Sequence, residues 1–426
     1  MKRTRIIGSF AVMAMALTAC ESGGLAENND AGSDESGLEV GATKEDYIEA
    51  FEDIDPIELN FQYASTNPES FSALRDLEWA STVEEWSGGK ITVNTHPSGA
   101  IASPTDVPEA LSDGRLDVAN YFGTYEPQQM GAFVDLTKSL VQMPSSPLIG
   151  ELVSQAVLLD VGFNTEEVMA NYEDQGMHVL HPGVPSGNIS MMCPEDKESL
   201  SDFSGDQIRG NAEAHEVQVD SLGGTLTSVE LAEGYEALER GVLDCSLNST
   251  ATGYNVGWLE VAPYLKMPSE ASFAPGPGSM VVGAKWDSLP LVAKQLMFDT
   301  MPVYIGGESF SAVTSVVLSA EEALEHGGSL EYLDEESEAQ IAEANETLIQ
   351  QVAESENLNG EELNQKVSES IEKWTGIAED LGYEENGEVV HFADWYEGST
   401  DFEDREYLQP FADRLYEEVI IPNRPS

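Results

Sequence analysis

Residues 201–250 read SDFSGDQIRGNAEAHEVQVDSLGGTLTSVELAEGYEALERGVLDCSLNST, and the fold turns on them. A short strand-like run through Ile208 to Arg209 leads into a helix-like segment that stops at Gly223-Gly224. A second helix is predicted next, with Thr227 as N-cap and Glu230 three residues on as the other half of a capping box. Its apolar face is expected to be Leu231, Tyr235, Leu238 and Val242, at helical spacing. Gly241 falls where a left-handed C-cap is usually needed. Val242 to Leu247 then reads as a second strand ending at Asn248. Arg209 and Asn248 thus sit at the ends of two strands separated by helices, which is where α/β sheets bind ligands.

Upstream, Ile57, Leu59, Phe61 and Tyr63 alternate as a strand with one buried face. Asn67 is the expected N-cap of the next helix, with Pro68 at its first position and Gly88-Gly89 at its end. KITVNTH is a second strand, Pro104 to Ser112 a short helix, and Leu116 to Asn120 a third strand. This β-α-β-α-β order implies a parallel sheet with right-handed crossovers. Val134 to Asn171 reads as mainly helical, broken at Pro144 and Pro147, and MHVL as a strand. The chain is expected to cross between lobes in GNISMMC, residues 187–193. Downstream come a strand from Ser279 to Trp286, one long helix from about Pro290 into the 310s, a short strand at Ser329 to Leu333, and Glu-rich helices. The last 40 residues receive no placement, and no repeat of fixed period occurs.

The opening stretch resembles the DctP-like solute-binding proteins of TRAP transporters. The matching positions are Phe203, Gly205, Ile208 and Arg209, then Leu222-Gly223-Gly224-Thr225. Glu233, Tyr235, Ala237, Leu238, Gly241, Asp244 and Asn248 complete the series. Glu109-Ala110-Leu111, Gly114-x-x-Asp117 and Ser288-Leu289-Pro290 after Trp286 extend the likeness, which covers roughly residues 57 to 380. The resemblance implies a two-lobe α/β fold, periplasmic-binding-protein-like, with a hinge and long C-terminal helices. Lobe 1 is expected at 56–185 and lobe 2 at 186–280. A returning strand, a lobe-spanning helix and C-terminal helices fill 281–426. The function implied is capture of a small organic acid for secondary uptake through TRAP membrane permease subunits.

The resemblance also implies that Arg209 clamps the ligand carboxylate and that Asn248 assists. Guanidinium chemistry agrees, since its planar fork of donors matches a carboxylate and stays charged at any working pH. Arg209 is also the only Lys or Arg between Lys197 and Arg240. Arg209 without the family would read as an ordinary ion pair, and Asn248 as a strand-end turn residue. Tyr63, Thr66, Asn120 and Trp286 are the remaining candidates, as aromatic or hydrogen-bonding residues near strand ends. The chain departs from the family at Asp244-Cys245-Ser246-Leu247-Asn248-Ser249 and at Gly210. No Arg lies between Pro182 and Met192, where some members carry a second one, which favours a monocarboxylate over a dicarboxylate.

Lys2, Arg3 and Arg5, an apolar Ile6 to Leu17 and the lipobox-like Leu17-Thr18-Ala19-Cys20 predict a lipoprotein signal at 1–19. Cys20 would be the lipid anchor on the outer face of the cytoplasmic membrane, and residues 20–55 a disordered acidic tether. Cleavage would remove three basic residues and no acid, making the formal charge of −59 more negative still. Such a surface repels nucleic acid and anionic lipid. An anionic ligand can then bind only where local cations and oriented N–H groups overcome that field. Cys193 and Cys245 are the two other cysteines; an even pair outside the cytoplasm invites a disulfide, and two separate buried thiols are the alternative.

No Gly-x-Ser-x-Gly elbow or phosphate loop occurs. His178-Val-Leu-His181 with Glu213, His215 and Glu216 is a weak metal pattern. No enzyme activity, metal or cofactor is expected. The competing functions are an ABC-type solute-binding lipoprotein and, further off, a surface-anchored hydrolase.

Overall fold

The computed structural model describes residues 37–185, 187–210 and 212–426; the signal sequence and Cys20 lie outside them. Helix α1 (Lys44–Ala50) opens the fold through a capping box in which Thr43 and Asp46 satisfy each other's backbone donors. Its Tyr47 and the following Phe51 are fully buried, and Tyr47 Oη donates to Asp299 Oδ2 at 2.5 Å. The expected tether therefore ends before this helix and not at Asp55. The aromatic pair Tyr47 and Phe51 supplies the burial that the acidic composition concealed.

Lobe 1 follows the predicted alternation. Strand β1 (Ile57–Gln62), helix α2 (Phe71–Trp86), β2 (Ile91–His96), α3 (Val107–Ser112) and β3 (Val118–Tyr121) come in order, and β1 pairs in parallel with both other strands. Helix α2 starts later than expected: Ser70, not Asn67, is the N-cap, its side chain accepting from Ala73 N. Helices α4 (Gly131–Ser139), α5 (Ile149–Phe163) and α6 (Glu166–Glu173) precede β4 (His178–Val184).

Lobe 2 begins with the next strand. There β5 (Ile189–Cys193), β6 (Gln207–Arg209), α7 (Glu213–Ser221), β7 (Thr225–Thr227), α8 (Gly234–Glu239), β8 (Cys245–Ser249), α9 (Thr250–Asn255) and β9 (Tyr264–Met267) follow. The Thr227–Glu230 capping box does not form, because Thr227 closes β7 and α8 begins only at Gly234. Val229 O is held by Arg209 Nε at 2.8 Å, which keeps that segment extended. Leu238 is buried as expected, whereas Leu231 and Val242 are exposed. Gly241 does take a positive φ, +66°, just past the helix.

The return strand β10 (Gly278–Val282) joins the lobe 1 sheet antiparallel to β3 and β4. Beyond it, α10 (Leu291–Asp299) and α11 (Met301–Glu325) replace the single long helix, with Pro302 opening the second. This stretch is long and apolar enough to cross a membrane, yet it is packed inside the fold. Strand β11 (Ser329–Tyr332) goes back to lobe 2, and α12 (Glu335–Ala353) and α13 (Gly360–Asp380) follow. Among the described residues the sheets run β2-β1-β3-β10-β4 and β11-β9-β5-β8-β6-β7.

The last 40 residues strap the molecule together. Val389 N donates to Tyr332 Oη in lobe 2, and Arg405 clamps Glu78 of α2 at 2.5 and 2.6 Å. Arg424 pairs with Asp299 at 2.7 Å.

Candidate functional site

The register places the site. In lobe 1 the C-terminal ends of β1, β2, β3 and β4 share one edge with the start of β10. In lobe 2 the ends of β6 and β8 share an edge with the start of β5, where the chain arrives from lobe 1. Side chains two apart on a strand share a face. Arg209 pairs with Ser246, and Asn248 pairs with Ser190, so all four project from one face of the lobe 2 sheet.

Arg209 is 3 % exposed. Its Nε donates to Val229 O at 2.8 Å, and its guanidinium lies 5.2 Å from the centroid of Trp258. Among the described residues its Nη1 has no hydrogen-bond partner and no carboxylate pairs with it. Two other cations are as deeply buried, and both are paired: Arg75 with Asp76 at 3.1 Å, and Lys266 with Asp196 at 2.8 Å and Glu331 at 2.6 Å. Desolvation lowers the proton affinity of Arg209, opposed by the fields of Tyr125 and Glu230. Tyr125 belongs to lobe 1, so the two jaws approach each other here.

His215, on α7, is fully buried with Nε2 2.8 Å from Ala274 O. Because a carbonyl only accepts, that nitrogen carries the hydrogen. Burial, helped by the Arg209 charge, pushes His215 down to about 4, so the ring is neutral at pH 7. The imidazole belongs to the floor under Arg209 and not to a metal cluster with His178 or His181. His178 stacks on Trp286 with centroids 5.5 Å apart, and His181 faces Glu308 at 3.2 Å within lobe 1.

The structure sorts the remaining candidates. Asn248 is buried at the β8 end, its Oδ1 accepting from Ser249 N at 2.8 Å. Tyr63 is 4 % exposed just past β1, and burial, then the Asp76 charge, raises its phenol. Thr66 is exposed on the loop that follows. Asn120 is engaged at both ends: Oδ1 accepts from Ala64 N at 3.0 Å and Nδ2 donates to Tyr304 Oη at 3.2 Å. These two bonds brace the end of β3 against the segment after β1 and against α11.

Trp286 does not belong to the site. β10 runs antiparallel to its neighbours, so its end at Val282 meets Val118 and His178, the starts of β3 and β4, and Trp286 follows at that remote edge. Sequence reasoning treated the end of any strand as equivalent and missed the reversal. It also missed that Trp258 and Glu230 approach Arg209: Trp258 lies far along the chain, and Glu230 read only as half of a capping box.

Cys193 and Cys245 are joined by a disulfide, with Cα atoms 4.3 Å apart. They come next to the Met192–Ser246 pair in the antiparallel β5–β8 ladder, so the register alone sets them opposite each other.

Comparison with known proteins fits this architecture. Residues 62–356 match the family model DctP, bacterial extracellular solute-binding protein, family 7. The chain belongs to that family, the solute receptors of TRAP transporters, which bind their solutes and are not enzymes. Similar solved structures include a marine metagenome TRAP solute-binding protein specific for aromatic acid ligands, in complex with 3-hydroxybenzoate. It shares 20% identity at TM-score 0.65, covering 75% of this chain and 99% of that one. Another is a Haemophilus influenzae TRAP periplasmic protein with bound L-gulonate, at 16% identity and TM-score 0.63 over 74% and 99% of the two chains. A third is DctP7 of Bordetella pertussis, an extracytoplasmic solute receptor binding pyroglutamic acid, at 14% and TM-score 0.62 over 74% and 99%.

Proposed function

We propose that this protein, tethered through Cys20 to the outer face of the cytoplasmic membrane, captures a small monocarboxylate and hands it to TRAP permease subunits. The observation that carries the reading is Arg209. The sequence carries 78 acidic side chains, yet among the described residues this guanidinium is the one buried cation that pairs with no carboxylate. A desolvated cation without a counter-ion is costly, and a ligand carboxylate removes that cost by forming charge-assisted hydrogen bonds. Asn248 adds an amide beside it, and Tyr63, Thr66 and Tyr125 cover the ligand from lobe 1 as the lobes close. The acids named for the similar structures, 3-hydroxybenzoate, L-gulonate and pyroglutamic acid, all carry the group that Arg209 would hold.

No second unpaired buried cation accompanies Arg209 among the described residues, which supports one carboxylate per ligand. The test is a thermal-shift panel of aromatic, sugar and cyclic-amide acids, dicarboxylates, neutral sugars and amino acids. A ligand bound in the micromolar range and present at millimolar concentration stabilises the folded state by several kcal/mol. The expected result is a shift with a monocarboxylate. A best shift from a neutral solute or a dicarboxylate overturns the reading.

A further inference from the structure

Beside Arg209 lie two serines that a carboxylate clamp leaves unexplained. In the order β5-β8-β6, Ser246 stands between Met192 and Arg209, and Ser190 stands beside Asn248 one row nearer the shared edge. Neighbouring strands are only about 5 Å apart, so Arg209, Ser246, Asn248 and Ser190 form one polar patch. Both serines are fully buried, and neither Oγ has a hydrogen-bond partner among the described residues. Burial in a strand does not by itself bring this about. Ser249, on the opposite face of β8, has its Oγ accept from Thr252 N at 3.0 Å, and Ser279 of β10 donates to Pro182 O at 3.0 Å. Arg209 Nη1 also lacks a partner, so three of the four adjacent side chains in the patch carry an unpartnered buried group.

We propose that Ser190 and Ser246 are specificity-determining residues that hold a hydroxyl or keto oxygen of the ligand, so that the solute is a hydroxy or oxo acid and not a plain carboxylic acid.

The inference rests on the carboxylate reading of Arg209 and narrows it. A guanidinium only donates, which suits a carboxylate, whereas a serine hydroxyl donates and accepts, which suits a hydroxyl or keto oxygen. Asn248 supports the pair: its Oδ1 is taken by Ser249 N at 2.8 Å, which leaves Nδ2 as the free end of the amide. Lobe closure excludes the water that would satisfy the two serines. An acid without an oxygen substituent leaves them unpaired in the closed cleft, and an oxygenated acid restores the bonds. A site built to hydrogen-bond such an oxygen discriminates against the analogue that lacks it.

Titration calorimetry of the protein with matched sets of acids tests this. The sets are lactate, pyruvate and propionate; mandelate, phenylglyoxylate and phenylacetate; gluconate and hexanoate; and salicylate and benzoate. In at least one set an oxygenated member should bind about tenfold or more tighter than the plain acid, and the hydroxy and oxo members show which oxygen is preferred. Ser190→Ala and Ser246→Ala should each bring that ratio toward one by weakening the oxygenated member. Each removes a hydroxyl without a partner, so both variants should fold. A serine with a merely structural role would weaken all members alike and leave the ratio unchanged. Arg209→Met should weaken every acid. Acids that bind without preference in every set, or a preference that survives both serine variants, overturn this inference and leave the carboxylate reading standing. Failure of every acid to bind overturns both.

Discussion

Arg209 shows how much one residue's surroundings decide. Its neighbours in sequence marked it as isolated from other cations, and its strand end pointed to the inter-lobe edge; both were legible. The Val229 carbonyl, the Trp258 face and the lack of a counter-ion among the described residues were not, since they depend on how distant parts of the chain fold back. His215 extends the point to pH dependence. Its folded value, about 4, lies below the ordinary 6.5, so below pH 6.5 the unfolded chain holds a proton that the folded chain refuses. Stability should fall as pH drops from about 6.5 toward about 4, by roughly 2–3 kcal/mol at pH 4.5. Urea unfolding of the wild type and His215→Gln at pH 7 and 4.5 checks this. The wild type should lose that much relative to the variant, and equal losses in both would remove His215 from the acid response.

At the scale of elements, period-2 alternation located β1, β2 and β3, and glycines marked where helices stop. What failed was chemistry with two outcomes. Thr227 and Glu230 satisfy a capping-box pattern, but pairing of Thr225–Thr227 with Gln207–Arg209 removes Thr227 from any helix. Similarly, Ser279 to Trp286 was a strand in the sequence, yet only the antiparallel pairing of β10 shows which end of the sheet Trp286 reaches. The Cys193–Cys245 bond staples β5 to β8 behind Asn248 across 52 residues. Its loop-closure contribution is about 2–4 kcal/mol. Cys193→Ser with Cys245→Ser should lower stability to denaturant by that order while leaving the unfolding cooperative. A double variant as stable as the wild type would mean that the bond contributes only locally.

For the whole molecule, composition separated an acidic lead from a folded body but put the boundary too late. Residues 37–55 pack through Tyr47 and Phe51, and Tyr47 closes a buried cluster with Asp299 and Arg424 from the far end of the chain. A chain begun at residue 57 leaves Asp299 with Arg424 but strips two buried aromatics from the core. It should melt well below a chain begun at residue 37, by at least about 3 kcal/mol on the scale of large core truncations. Equal melting temperatures would show α1 to be an ornament of the fold.

The central claim is that lobes organised around an unpaired, buried guanidinium close on a carboxylate. Titration calorimetry of the best acid from the thermal-shift panel against its neutral amide, on the wild type and Arg209→Met, tests it most directly. The wild type should bind the acid and lose about 2–5 kcal/mol for the amide. Arg209→Met should fold at least as stably without ligand, because an uncompensated buried charge has been removed, and should no longer distinguish the two. Equal binding of acid and amide by the wild type, or full discrimination retained by Arg209→Met, would contradict the account.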